Sequence, residues 1–217
     1  MKPINKIKTN WSPKLAYAIG LIATDGCLYN DGRHLAFVSK DPQLINTFKG
    51  CLGLSVKVSK KRSGFVNTNY AYFVQFGDVN FYRFLVSIGL TPRKSKTLGA
   101  LKIPDKYFFD FLRGSFDGDG TFYAYWDKRW ASSYMYYLVF VSASFEHLKW
   151  IRQKLRLLLK VKGHFNLSLR VGACQLKYAK SEAQKVITKM YKSPNAPRLE
   201  RKYKKVYTSL VLDRNNR

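Results

Sequence analysis

Carboxylates are scarce in this chain. Only 13 of its 217 residues are Asp or Glu, against 39 Lys and Arg, for a net charge of +26. A folded chain with that imbalance calls for a polyanionic partner. The basic residues recur throughout, as in KVSKKRS (57–63), TPRKSK (91–96) and RLERKYKK (198–205), so the charge belongs to a surface and not to a tail. Cysteine is scarcer still. Cys27, Cys51 and Cys174 are widely spaced with no CxxC, which argues against a zinc ribbon and fits reduced thiols in the core of an intracellular protein. His34, His147 and His164 form no HExxH pair, which excludes a zinc protease of that type. No apolar run is long enough to span a bilayer, so no membrane partner is expected. MKPINKIK followed by LAYAIGLIA (15–23) imitates a secretion signal, but Pro13 breaks the approach and no small-residue cleavage site follows. The expected location is intracellular, with nothing to separate a prokaryotic cytoplasm from an organelle matrix. What the chain does have is a hydrophobic fraction of 46% and an aromatic fraction of 16%, enough to build a core.

The apolar segment near the N-terminus occurs twice. AIGLIATDG (18–26) and LRGSFDGDG (112–120) share a glycine at the third position and Asp-Gly at the last two. FVSKDPQLI (37–45) is answered by FVSASFEHL (140–148), each reading as a strand that runs into a helix. SVKVSKK (55–61) alternates, with Val56 and Val58 on one face and Lys57, Ser59 and Lys61 on the other; FNLSLRV (165–171) does the same. Further strands are predicted near 70–77 and 173–179, with Tyr72, Val74 and Phe76, and Cys174, Leu176 and Tyr178, on their inner faces. Helices follow at about 79–88 and 180–191, and then the matching fragments TPRKSKTL (91–98) and APRLERKY (196–203). The predicted fold is α+β: two pseudo-symmetric αββαββα subdomains, over 1–98 and 107–217, joined by a linker at 99–106 where Gly99 and Pro104 interrupt regularity. The stretch 198–210 reads as a basic final helix touching phosphates.

The repeated segment ends in Asp-Gly, and Gly26 and Gly120 are read as left-handed helix caps. Asp25 and Asp119 then sit at negative dipole ends, a poor place for an anion. Gly20 and Thr24 in one helix, and Gly114 and Gly118 in the other, place small residues on one face at four-residue spacing, which lets two helices approach closely. If these helices pack together, Asp25 and Asp119 become neighbours that repel. A divalent cation with oxygen ligands, Mg²⁺ or a similar ion, resolves that conflict.

These two segments resemble the paired motifs of the LAGLIDADG homing endonucleases, in the single-chain, two-motif form. GLTPRKSKTL (89–98) is similar to that family too, and the resemblance covers about residues 13–212. It implies two four-stranded sheets forming a saddle over the DNA major groove, with the two motif helices at the subdomain interface. It also implies hydrolysis of one phosphodiester on each strand of a long asymmetric duplex target by a monomer, with Asp25 and Asp119 as catalytic metal ligands. Backbone carbonyls near Thr24 and Gly118 are further candidate ligands. Mg²⁺ is the implied cofactor, with Mn²⁺ a substitute and Ca²⁺ bound without supporting cleavage. A basic residue after the second strand commonly assists in the family; Lys40 matches that place, and its counterpart is Ala143, next to Ser142. Asp117 falls where the first motif has Ala23 and is read as a capping or interface residue.

The outward strand residues Lys57, Ser59, Lys61, Arg62, Gln75, Asn166, Ser168, Arg170 and Lys177, with Arg33, are the candidate DNA contacts, since such donors read base edges in the major groove. The aromatic hairpin 121–142 suits either a core or contacts to thymine methyls and sugars. Two other functions fit the same fold, an RNA maturase that assists intron splicing and a non-catalytic DNA-binding regulator. The paired Asp25 and Asp119 favour the nuclease.

Overall fold

The structure is a computed structural model and describes residues 6–62, 70–130, 133–168 and 172–215. In chain order the first half contains α1 (Pro13–Asp25), β1 (Gly26–Leu28), β2 (His34–Ser39), α2 (Pro42–Leu52), β3 (Ser59–Arg62), β4 (Tyr70–Gly77) and α3 (Val79–Ser87). The second contains α4 (Phe108–Gly118), β5 (Thr121–Trp126), β6 (Tyr134–Ser142), α5 (Phe145–Leu159), β7 (His164–Ser168), β8 (Ala173–Ala179) and α6 (Lys180–Met190), and α7 (Glu200–Asn215) follows. A turn of 3₁₀ helix at Asp105–Tyr107 leads into α4. The strands form two antiparallel four-stranded sheets of the same order, β1-β2-β4-β3 and β5-β6-β8-β7. This is the α+β, twice-repeated architecture that the alternation and the internal repeat predict.

Local chemistry explains the entry to each element. The Ser12 hydroxyl accepts from the Leu15 amide at 3.2 Å and Pro13 opens the helix, so the proline that seemed to interrupt an apolar run is the first residue of α1. Asp41 and Ser144 cap α2 and α5 at matching places in the two halves. Each sheet turns its apolar face toward the helices. Phe37, Val74, Leu138, Leu176 and Tyr178 are buried in one core that runs through both halves. The stretch between the halves is packed too, with Leu98, Leu101 and Ile103 buried.

Three expectations need correction. Residues 54–58 alternate in burial but do not pair with a neighbouring strand. Gly53, in the left-handed region, turns the chain out of α2, and only from Ser59 does it reach the sheet edge. The alternation there reflects packing of Val56 and Val58 on the core. Gly26 is not a left-handed cap. Its backbone is extended (φ −83°, ψ 148°), and Gly120 is not among the described glycines with positive φ. Both are required for space: a Cβ at Gly26 would lie 2.6 Å from the Ile22 Cα, and one at Gly120 would lie 2.7 Å from the Phe116 Cα. The thiols are not all in the core either. All three cysteines are free, and Cys27 is exposed on the outer face of its sheet.

Candidate catalytic site and nucleic-acid face

The site is built where α1 and α4 cross. A Cβ on Gly20 would sit 2.2 Å from the Phe111 carbonyl oxygen, and one on Gly114 would sit 2.1 Å from the Tyr17 carbonyl oxygen. The backbones therefore touch, and only glycine allows it. Further along the same face, a Cβ on Gly118 would collide with the Thr24 hydroxyl at 2.0 Å and reach Asp25 Oδ2 at 3.1 Å. This contact brings the ends of both helices, and hence Asp25 and Asp119, to one place.

The two carboxyls meet under strain. Burial, and then repulsion from Asp119, raise the Asp25 pKa from its ordinary value to about 6. Burial raises that of Asp119 as well, and Lys202 and Lys94 oppose the rise at both. Asp25 is half-buried, and Asp119, though hemmed in enough by protein to feel that penalty, reaches solvent, so the pair opens from the second motif's side. Asp117, by contrast, is only 1% exposed. Its Oδ2 accepts from the Tyr17 hydroxyl at 2.7 Å and from the Leu199 amide at 2.8 Å, tying α1 and the entry to α7 onto α4. Burial raises its pKa to about 6 despite those bonds. It holds the interface and cannot reach a phosphate.

A hard divalent cation fits the donors present. Two carboxylates held together at a cost are what such an ion relieves, and Mg²⁺ commonly takes one or two carboxylates with the rest of its shell from water and substrate phosphate. No group of three or more Asp, Glu, His or Cys gathers anywhere among the described residues. The carbonyl of Gly118 already accepts from Lys202 Nζ at 3.1 Å, which leaves it one lone pair.

Two residues of this site escaped the sequence reading. Lys94 was one letter of a basic run, yet it is 5% exposed and its Nζ donates to the Gly26 carbonyl at 2.6 Å. In the sequence Lys202 belongs to a helix expected to touch phosphates, yet its Nζ points into the protein and donates to carbonyls at the end of α4. Burial lowers the pKa of Lys94, and that of Lys202 to about 8. The only signal in the sequence was that the two runs follow the last helix of each repeat.

Lys40 is exposed just past β2, three residues beyond Phe37, the partner of Gly26. Ser39 Oγ accepts from the Asp41 amide and Ser142 Oγ from the Ser144 amide, both at 3.1 Å, so Lys40 and Ala143 occupy equivalent exposed places. Register puts Ser59, Lys61 and Gln75 on the outer face of the first sheet with Phe73. Asn166 and Lys177 share the outer face of the second. Gln75 pairs with Ala36, which pairs with Cys27, and Lys177 pairs with Val139, which pairs with Thr121. The two are therefore equivalents, each two strands from the residue after Asp-Gly. Lys57 is exposed ahead of β3, and Arg33 lies in the β1–β2 turn, roughly 13 Å along the strand from the Gly26 rung. Arg62 and Ser168 end β3 and β7, and Arg170 lies outside the described residues.

The aromatic hairpin divides its rings between the core and the surface. Phe122, Tyr134 and Tyr136 are buried on the inner face. On the outer face Tyr137 stacks with Tyr123 at 5.1 Å and with Tyr125 at 6.3 Å between ring centroids. Near the tip Trp126, across from Tyr134, and Trp130 are exposed.

No family model matches the chain, and no curated protein matches it in sequence. Solved structures do match in shape. The LAGLIDADG homing endonuclease I-LtrWI bound to target DNA is 11% identical with TM-score 0.60, covering 92% of this chain and 89% of its own. An I-DmoI variant in complex with its target DNA in the presence of 2 mM Mg is 15% identical with TM-score 0.54, covering 83% and 97%. Full-length DUF199/WhiA from Thermatoga maritima is 16% identical with TM-score 0.57, covering 93% of this chain. This chain spans 61% of the length of that WhiA chain. The fold is the LAGLIDADG two-subdomain fold. No helix among the described residues is long and apolar enough to cross a membrane.

Proposed function

We propose that this protein is a site-specific, divalent-metal-dependent double-strand DNA endonuclease of the homing type, acting as a monomer whose two repeats, 1–98 and 107–217, each address one half of a long asymmetric site. The observation that carries this reading is the meeting of Asp25 and Asp119. In a chain with only 13 acidic residues, two are brought together at the ends of glycine-packed helices, beside two sheets whose outer faces present Lys61, Gln75, Asn166 and Lys177. A role in stability does not account for them, since burial opposes the ionisation of both and repulsion from Asp119 further opposes that of Asp25.

Asp25 and Asp119 would hold Mg²⁺. Such an ion, when bound, polarises a scissile phosphate, lowers the pKa of an attacking water and stabilises the leaving oxygen. Lys40 would add a positive charge beside one of the two scissile phosphates, with no equivalent at Ala143. The basic sheet faces hold the duplex and set its register, and the tyrosines of the second hairpin offer apolar contact to thymine methyls. A DNA-binding regulator without cleavage is the second reading. Lys94 and Lys202 favour it, since they offset the charge of the two carboxyls without any metal.

The test is incubation with a randomised duplex library and Mg²⁺, followed by sequencing of cut ends. The nuclease reading expects one recurrent cut site, with binding but no cutting in Ca²⁺. Retention of a specific duplex without cutting in Mg²⁺ or Mn²⁺ would establish the regulator instead.

A further inference from the structure

A groove of 720 Å³ opens at the end of the α1–α4 pair opposite to the aspartates. α1 rises about 1.5 Å per residue from Pro13 to Asp25, so the groove lies roughly 18 Å along the helix from that carboxyl. Both halves of the chain build it. Ser12 and Pro13 open α1, Phe109 and Asp110 belong to the first turn of α4, and a further wall runs from the end of α6 to Pro197. That wall is fixed in place. The almost wholly buried Arg113 guanidinium donates to the carbonyls of Pro197, at 2.8 Å, and of Met190, and pairs with Asp110 at 2.6 Å. The pairing also neutralises the carboxylate that lines the groove.

The rest of the lining is of two kinds. Pro13, Phe109, Met190 and Pro197 make it apolar. Lys14, Lys106, Lys189 and Lys192, all exposed, make it cationic. Among the described residues none of these four lysines forms an ion pair with a carboxylate. None of the candidate DNA contacts lines the groove, so the nuclease reading gives it no use. A groove of this volume takes one small ligand and not a duplex. Its apolar lining, with the ring of Phe109, suits a planar base. Its lysines, as point charges, suit phosphates. An unpaired strand carries one charge per nucleotide, so the nucleotide it placed here would answer one lysine and leave the others unmatched. A nucleoside triphosphate brings its whole polyphosphate charge behind a single base. We propose that this groove is a binding site for a nucleoside triphosphate, with the base against Phe109, Met190 and Pro197 and the polyphosphate among the four lysines. The site is separate from the aspartates and does not depend on whether the protein cuts DNA.

The experiment is equilibrium titration of the full chain with fluorescent N-methylanthraniloyl-ATP, in EDTA at about 150 mM salt. Unlabelled ATP, inorganic tripolyphosphate and a short oligothymidylate serve as competitors. Binding should saturate at one nucleotide per chain, and ATP should compete at least about tenfold better than tripolyphosphate, which lacks the base. Phe109→Leu keeps apolar bulk, loses the ring and should narrow that advantage. Lys189→Gln with Lys192→Gln should weaken ATP at least about tenfold. Lys96→Gln with Lys128→Gln removes the same charge from exposed places outside the groove and should leave ATP binding unchanged. Thermal melts establish that each variant is folded. Equal weakening by the two double variants would reduce the binding to attraction by the net charge of +26 and overturn the proposal. Tripolyphosphate that matches ATP would overturn it too, since the site would then read charge without a base. An oligothymidylate that outcompetes ATP at equal phosphate concentration would make the groove a single-strand tract instead, and a wild type with no saturable binding would leave no site at all.

Discussion

Removing the charge of Asp25 should make the protein more stable and inactive at once. The carboxyl pKa rises from 3.8 to about 6 on folding, through burial and the neighbouring Asp119. A shift of that size corresponds to roughly 3 kcal/mol of unfavourable ionisation. Because the folded-state pKa is the higher one, the folded protein binds the proton more tightly than the unfolded chain. The stability this proton confers is complete below about pH 4 and is lost as pH rises through about 6. At pH 7.5, without metal, the wild type carries the full penalty. Asp25→Asn removes it with little change of shape and should stabilise the metal-free protein by about 1–3 kcal/mol, the lower figure allowing for partial solvent exposure. For a domain of this size that is on the order of 3–10 °C in Tm. The difference between variant and wild type should shrink toward zero by about pH 4. Urea melts from pH 4 to 8 in EDTA measure it, and nicking gels of the same samples in Mg²⁺ should show cleavage lost. A variant less stable than wild type at pH 7.5, or a gain that does not change with pH, would refute the account of two carboxylates held together against their mutual repulsion.

Gly20→Ala and Gly114→Ala each place a methyl within 2.2 Å of a backbone oxygen of the facing helix. Each should destabilise the protein by about 3 kcal/mol or more, read from urea midpoints, whereas Gly50→Ala, with open space around it, should cost little. Lys40→Ala should slow one labelled strand more than the other, and Ala143→Lys should speed the slower strand of the wild type; equal effects on both strands would argue that Lys40 serves no particular phosphate. Duplex affinity should fall at least about a thousandfold between roughly 50 and 200 mM salt, measured by filter binding, and a flat response would remove the basic sheet faces from the interface.

Much of the fold was legible because its signals are local or repeated. Alternation in 70–77 and 173–179 marks half-buried strands whatever surrounds them, and β4 and β8 lie there. The duplicated Asp-Gly segments announced two copies of one unit. Glycine at four-residue spacing announced a close helix crossing, although the sequence could not say why Gly26 and Gly120 follow the aspartates. Their need is for space against Ile22 and Phe116, which a turn-based reading cannot foresee.

Tertiary structure decided what sequence distance conceals. Asp25 and Asp119 become neighbours only because Gly20 and Gly114 let two backbones touch; burial there raises both pKa values, and repulsion from Asp119 adds to the rise at Asp25. Asp117 and Asp119 are two letters apart, yet one is sealed inside by Tyr17 and Leu199 and the other opens to solvent. Lys94 and Lys202 look like any other lysine in a chain of +26, and only the fold turns their ammonium groups inward onto helix-end carbonyls. Composition and period thus determined the elements and pointed to a polyanionic partner. Which lysines face outward and which hold the protein together depended on long-range packing, because a side chain's environment is set by residues far from it in sequence.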